Sequence, residues 1–119
     1  MSYSEKIQEV IDGSDVVLFM KGTPAIVMCG NSDRALKALR RAGASVTAVD
    51  VLPDPQIREE LTAISGWPTI PQVFVKGELV GGADIIEELE QSGELEATLK
   101  AKLGDGYSAE RDETTVGLA

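Results

Sequence analysis

Hydrophobic positions change period several times along the chain, and each change marks an element. Ile7, Val10 and Ile11 recur at helical spacing behind Ser2, which forms a capping box with Glu5, so a short amphipathic helix is predicted, closed by Asp12 and Gly13. Val16 to Met20 is an unbroken apolar run rich in β-branched residues, the pattern of a strand buried on both faces, and its place should be central. A polar loop marked by glycine and proline then runs from Lys21 to about Cys29. A helix follows from about Asn31 to Ala42, with Leu36 and Leu39 inward and Arg34, Lys37, Arg40 and Arg41 mostly outward. Gly43 stops it, and Val46 to Val51 reads as a second strand, parallel to the first through a right-handed crossover.

Asp54 before Pro55 is a helix start, an acceptor followed by a ring already fixed at helical φ, and Ile57, Leu61 and Ile64 continue the inward face until Ser65 and Gly66. Gln72 to Val75 and Glu78 to Gly81 are short strands around the two-residue turn Lys76-Gly77. Helical segments from Ala83 to Glu90 and from Glu94 to about Lys102 close the domain, and Ile85, Ile86, Leu89, Leu95, Leu99 and Leu103 can cover one sheet face. The expected class is α/β, a four-stranded mixed sheet flanked by helices over residues 1–103. Residues 104–119 have few large apolar side chains, and a flexible acidic tail is expected there.

Composition narrows the chemistry. The chain has 119 residues, 43% of them apolar, enough for one ordinary core. Twenty acidic side chains against eleven basic ones give a net charge of −9, which argues against a nucleic-acid binder, since that affinity comes largely from Lys and Arg displacing counterions. Histidine is absent and cysteine occurs once, so one chain has no intrachain disulfide, no Cys/His zinc site, no Ser-His-Asp triad and no Cys-His dyad. A lone thiol suits a reducing compartment, and Met1 to Asp12 lacks the pattern of a signal peptide, so a cytoplasmic location is expected. The apolar runs are too short to cross a bilayer, and no membrane partner is expected.

In a sheet with parallel strands, ligands collect at the carboxyl ends, and Lys21 to Cys29 is the loop leaving the first strand. Cys29 there stands at the start of a helix, whose unpaired N–H groups and dipole favour thiolate over thiol, with Lys21 adding positive charge. The plainer alternative is a buried, inert cysteine. Between Pro68 and Pro71 the backbone is restricted, so Ile70 should be extended and able to pair with another extended peptide, or else the loop is merely stiff. Gly81-Gly82-Ala83-Asp84 runs from strand into helix and offers N–H groups to a carboxylate, although Asp84 read alone is a helix-flanking residue. Arg58 read alone is a solvated charge.

Taken together, Lys21-Gly22-Thr23-Pro24, Cys29-Gly30-Asn31-Ser32, Trp67-Pro68-Thr69-Ile70-Pro71-Gln72 and Gly81-Gly82-Ala83-Asp84 resemble the monothiol glutaredoxin family, whose hallmark is Cys-Gly-Phe-Ser on a thioredoxin-like fold. Val49-Asp50-Val51-Leu52, Asp54-Pro55 and Ile57-Arg58 are similar to the family as well. The resemblance implies that Cys29 is the reactive thiolate or metal ligand. It further implies that Lys21 and Arg58 hold the glycine carboxylate of glutathione, or of another small thiol. Ile70 before a cis Pro71 would pair with its backbone, and Gly82, Ala83 and Asp84 would receive its γ-glutamyl end. It also implies a two-iron two-sulfur cluster bridging a homodimer and passed to iron-sulfur client proteins. One thiol per chain accords with that, because such a cluster takes about four ligands and two chains leave two for free thiols. Asn31 stands where the family has phenylalanine, and Val27 where a proline is frequent.

Three functions compete at this point: a cluster carrier, a glutathione-dependent oxidoreductase that removes glutathione from mixed disulfides, and an interaction module without redox activity. The oxidoreductase needs only one protein thiol, and lacks the second cysteine that direct dithiol reduction of a disulfide requires.

Overall fold

A computed structural model of the chain describes residues 1–104 and 111–118. The elements are α1 (Tyr3–Gly13), β1 (Val16–Met20), α2 (Gly30–Arg41), β2 (Val46–Asp50), α3 (Pro55–Ser65), β3 (Gln72–Val75), β4 (Glu78–Gly81), α4 (Ala83–Ser92), α5 (Glu94–Leu103) and β5 (Glu113–Thr115). The capping box is present at α1, Asp54 caps α3 through the N–H of Gln56, and Gly66 closes α3 in the left-handed conformation. Lys76 and Gly77 both have positive φ, 50° and 80°, which matches the twist of the β3–β4 hairpin.

The sheet order is β4-β3-β1-β2-β5, so β1 lies at the centre. It pairs in parallel with β2 and antiparallel with β3, and β4 follows β3 antiparallel. Alternation along β1 divides the core in two. Val16, Leu18 and Met20 face Leu36, Leu39, Ile86, Leu95 and Leu99 from α2, α4 and α5. Val17 and Phe19 face Ile7, Ile11, Ile57 and Leu61 from α1 and α3, with Phe19 and Phe74 meeting edge to face at 5.7 Å. The result is a thioredoxin-like fold of helix, sheet and helix layers.

Two expectations need correction. Among the described residues the sheet has five strands, not four, because β5 pairs in parallel with β2, with Val46↔Glu113 and Ala48↔Thr115 in register. Residues 111–118 of the stretch read as a flexible tail are therefore docked, while residues 105–110 and 119 of that reading lie outside the described residues. Its side chains in the strand are all exposed, so apolar content gave no sign of it; backbone pairing makes the attachment. Arg40 grips Glu113 with two hydrogen bonds, Lys6 Nζ donates to the carbonyl of Leu118 at 2.7 Å, and Leu118 is buried against the α1/α3 side of the core. A polar, short edge strand of this kind also blunts the free edge of β2.

A smaller difference concerns α4. Ile85, assigned to the face covering the sheet, is 36% exposed and borders a groove instead.

Candidate functional site

Helix α2 begins at Gly30, one residue earlier than its apolar periodicity implies, and this makes Cys29 the N-cap. Its backbone is extended (φ −153°, ψ 134°), and its carbonyl accepts the N–H of Asp33 at 3.0 Å. The thiol thereby lies near the N–H groups of the first helical turn without forming a capping hydrogen bond to them. The Cys29 thiol pKa is lowered, first by the N–H of Ser32, then by that of Asn31, the charge of Lys21 and the Ser32 hydroxyl; partial burial opposes them. Cys29 is half-buried, neither sealed in the core nor freely exposed.

The loop that delivers this cysteine is a tight hairpin. Gly22 and Val27 form a bridge, the N–H of Met28 donates to the carbonyl of Lys21 at 2.9 Å, and Thr23 and Ile26 exchange backbone hydrogen bonds. Gly22 has φ +92°, and a Cβ there would stand 2.3 Å from the carbonyl oxygen of Ile26, so only glycine fits. One carboxylate oxygen of Asp50, at the end of β2, accepts both the N–H of Gly22 and that of Leu52 at 2.9 Å. Ser32, fully buried, accepts the N–H of Lys21. The loop is thus tied to β2 on one side and to α2 on the other.

A groove of about 270 Å³ is lined by Asn31, two residues beyond Cys29, together with Trp67, Thr69, Ile70, Pro71 and Gly82 to Ile85; Cys29 itself is not among the lining residues. The Ile70–Pro71 peptide bond is cis. Gln72, fully buried, donates its side-chain amide to the carbonyls of Trp67 at 2.9 Å and Thr69 at 3.2 Å, clamping the loop from behind. Neither the N–H nor the C=O of Ile70 takes part in a hydrogen bond among the described residues, so both are free for an extended ligand. Gly82 is the N-cap of α4, and a Cβ on it would lie 3.2 Å from both the Pro71 carbonyl oxygen and Trp67 Nε1. A side chain there would push into the groove wall.

Of the residues singled out in the sequence, Ile70, Pro71, Gly82, Ala83 and Asp84 therefore share one groove. Lys21 belongs to the thiol loop, and exposed Arg58 sits beside the groove's proline loop, its Nη2 donating to the carbonyl of Pro68 at 3.4 Å. A larger hollow, about 430 Å³, lies beside Arg40, Ala44, Arg111, Asp112 and Glu113 at the β5 edge, and no thiol lines it.

Four residues have roles that were not legible beforehand: Ser32, Asp50 and Gln72, seen in the sequence only as parts of motifs, which hold loops by side-chain hydrogen bonds to backbone groups, and Arg34. The guanidinium of Arg34 forks onto Glu87 at 2.8 and 3.1 Å, reaches Asp84 Oδ1 at 2.8 Å and donates to Asn31 Oδ1 at 3.1 Å. Helical spacing correctly put Arg34 outside the core, but it cannot tell that the α4 terminus lies opposite.

No group of three or more His, Cys, Asp or Glu side chains among the described residues is arranged to hold a metal ion. Cys29 is the one cysteine, so a single chain offers one thiolate sulfur.

Comparison with known proteins finds relatives over most of the chain. The glutaredoxin family profile matches residues 16–80. Glutaredoxin 4 of Escherichia coli K12 is 44% identical over 108 residues, which cover 91% of this chain and 94% of that protein. Monothiol glutaredoxin-S11 of Oryza sativa subsp. japonica is 47% identical over 98 residues, 82% of this chain, and the match spans only 20% of that longer protein. The solution structure of a monomeric truncated mutant of Trypanosoma brucei 1-C-Grx1 superposes with a TM-score of 0.77 at 40% identity, covering 86% of this chain and 93% of that one. A thioredoxin-like fold with one thiol at a helix N-cap is the class the structure defines. The chain belongs to the glutaredoxin family, among its monothiol members.

Proposed function

We propose that the chain binds glutathione in the groove beside Cys29 and, as a dimer bridged by a two-iron two-sulfur cluster, carries that cluster to client proteins. The observations that carry this reading are a single thiol with lowered pKa, two residues before the groove-lining Asn31, and a groove in which the Ile70 backbone is unpaired among the described residues. Lys21 and Arg58 supply positive charge for the glycine carboxylate of the tripeptide, Ile70 and Pro71 its extended backbone contact, and Gly82, Ala83 and Asp84 its γ-glutamyl end. Each chain then brings Cys29, and each bound glutathione brings a second sulfur, completing about four thiolates. The cluster is cargo in this reading, and the protein's part is to present and shield it. A cytoplasmic setting accords with the single free thiol. No helix among the described residues is long and apolar enough to cross a membrane.

Anaerobic incubation with iron, sulfide and glutathione tests the proposal when absorption and size are read together. A coloured dimer that reverts to monomer when the cluster is lost is the expected result. A colourless monomer would contradict it.

A second reading draws on the same thiolate. Cys29 Sγ attacks the glutathione sulfur of a protein mixed disulfide; a Cys29–glutathione disulfide forms, the S–S bond to the client protein breaks and its thiolate leaves. A second glutathione thiolate then attacks the glutathione sulfur, giving oxidised glutathione and releasing the Cys29 thiolate. Steady-state deglutathionylation with Cys29→Ser as control measures how much of this activity the carrier retains.

A further inference from the structure

We propose that Arg34 is a specificity-determining residue of the groove, reading the α-carboxylate of the γ-glutamyl head; this rests on the glutathione reading above. A guanidinium has five N–H donors. Four are spent here: Nε and one Nη2 hydrogen on Glu87, the other Nη2 hydrogen on Asp84, and one Nη1 hydrogen on Asn31. The fifth, on Nη1, is left over among the described residues, and it belongs to the nitrogen that holds Asn31, a groove-lining side chain.

The head of glutathione is a zwitterion. Its ammonium needs a carboxylate, and Asp84 lines the groove; its α-carboxylate needs a donor with positive charge, and Arg34 spans Asp84 and Asn31. Glu87 engages the guanidinium through both of its oxygens, which fixes the fork from the side away from Asn31 and keeps the spare donor in place. Arg34 comes from the helix that Cys29 caps, whereas Asp84 comes from the first turn of α4, so the pair joins the thiol's helix to the far end of the groove. The ligand's head and its sulfur are in this way referred to one rigid element.

The test compares two unreactive ligands by calorimetry: S-methylglutathione, and the same molecule with a γ-aminobutyryl head, which keeps the ammonium and lacks only the α-carboxylate. The unsubstituted chain should prefer S-methylglutathione by about tenfold, the size of one exposed charge-assisted contact. Arg34→Met should abolish that preference, leaving the two ligands equal, and Arg34→Lys should restore part of it. A merely structural role would weaken both ligands alike and leave the preference intact in Arg34→Met, which would overturn the assignment. Should Arg34→Met fail to fold, full preference in Arg34→Lys together with full preference in Glu87→Gln would overturn it as well. If the unsubstituted chain binds neither ligand, the glutathione reading itself falls, and this inference falls with it.

Discussion

The hydroxyl of Ser32, fully buried in the first turn of α2, accepts the backbone N–H of Lys21 at 3.0 Å, so the helix that carries the thiol also holds the loop that delivers it. Ser32→Ala leaves that N–H without its partner. A loss of about 1 kcal/mol in unfolding free energy is expected by denaturant titration, the ordinary cost of an unmade hydrogen bond. The thiol pKa should rise in the same variant, because the hydroxyl's stabilisation of the thiolate goes while the Ser32 N–H stays.

Gly22→Ala should be far more damaging than its size implies. Left-handed backbone at φ +92° acts together with a Cβ 2.3 Å from the Ile26 carbonyl oxygen and 2.8 Å from the Met28 backbone nitrogen, and these backbone atoms cannot yield as the Met28 side chain can. Destabilisation of at least about 2 kcal/mol is expected in thermal or chemical unfolding. A variant as stable as the parent would mean that the Lys21–Met28 hairpin is not held as described.

Asn31 is exposed beside the thiol, where the family pattern has an apolar ring, and its carbonyl oxygen is engaged by Arg34. A polar amide excludes water from a neighbouring cluster less well than a ring does. After anaerobic reconstitution, the Asn31→Phe variant should keep its absorption longer in air than the parent chain. An equal or longer lifetime in the parent would contradict this.

Attachment of β5 should depend on pH. The Arg40 guanidinium beside Glu113 holds its carboxyl below the usual glutamate range, so the pair's contribution is fully present above that usual value and is lost as pH falls through the lowered one. Hydrogen exchange at Val46 and Val116, whose N–H groups bond across the β2–β5 pair, should therefore speed up on acidification before the central strands respond. Glu113→Gln should give the same acceleration already at neutral pH, with a stability cost of about 0.5–1 kcal/mol for a partly exposed pair.

Much of this architecture is written in residue periodicity, and particular positions show where that stops. Val16 to Met20 announced a central strand because both faces of it are apolar, and Lys76-Gly77 announced its turn because both residues must take positive φ. Strand β5 could not be found this way: Glu113, Thr114 and Thr115 bury no side chain, and what holds them is the backbone of β2 and the fork of Arg40. The thiol and the groove-forming motifs were legible by resemblance, and the groove does bring Ile70, Pro71, Gly82, Ala83 and Asp84 together. Gln72, Asp50 and Arg34 were not, since their work is done across 5, 28 and 50 residues of sequence, a relation that only the folded chain supplies.

The central claim is that the N-cap position lowers the Cys29 thiol pKa and so favours the thiolate needed for sulfur chemistry. Titration of the lone cysteine by ultraviolet absorbance tests it most directly, because no other thiol contributes to the signal. The midpoint should lie below that of an ordinary cysteine and move upward in Lys21→Met, where one of the stabilising charges is gone. A midpoint at or above the ordinary value in the unsubstituted chain would contradict the account.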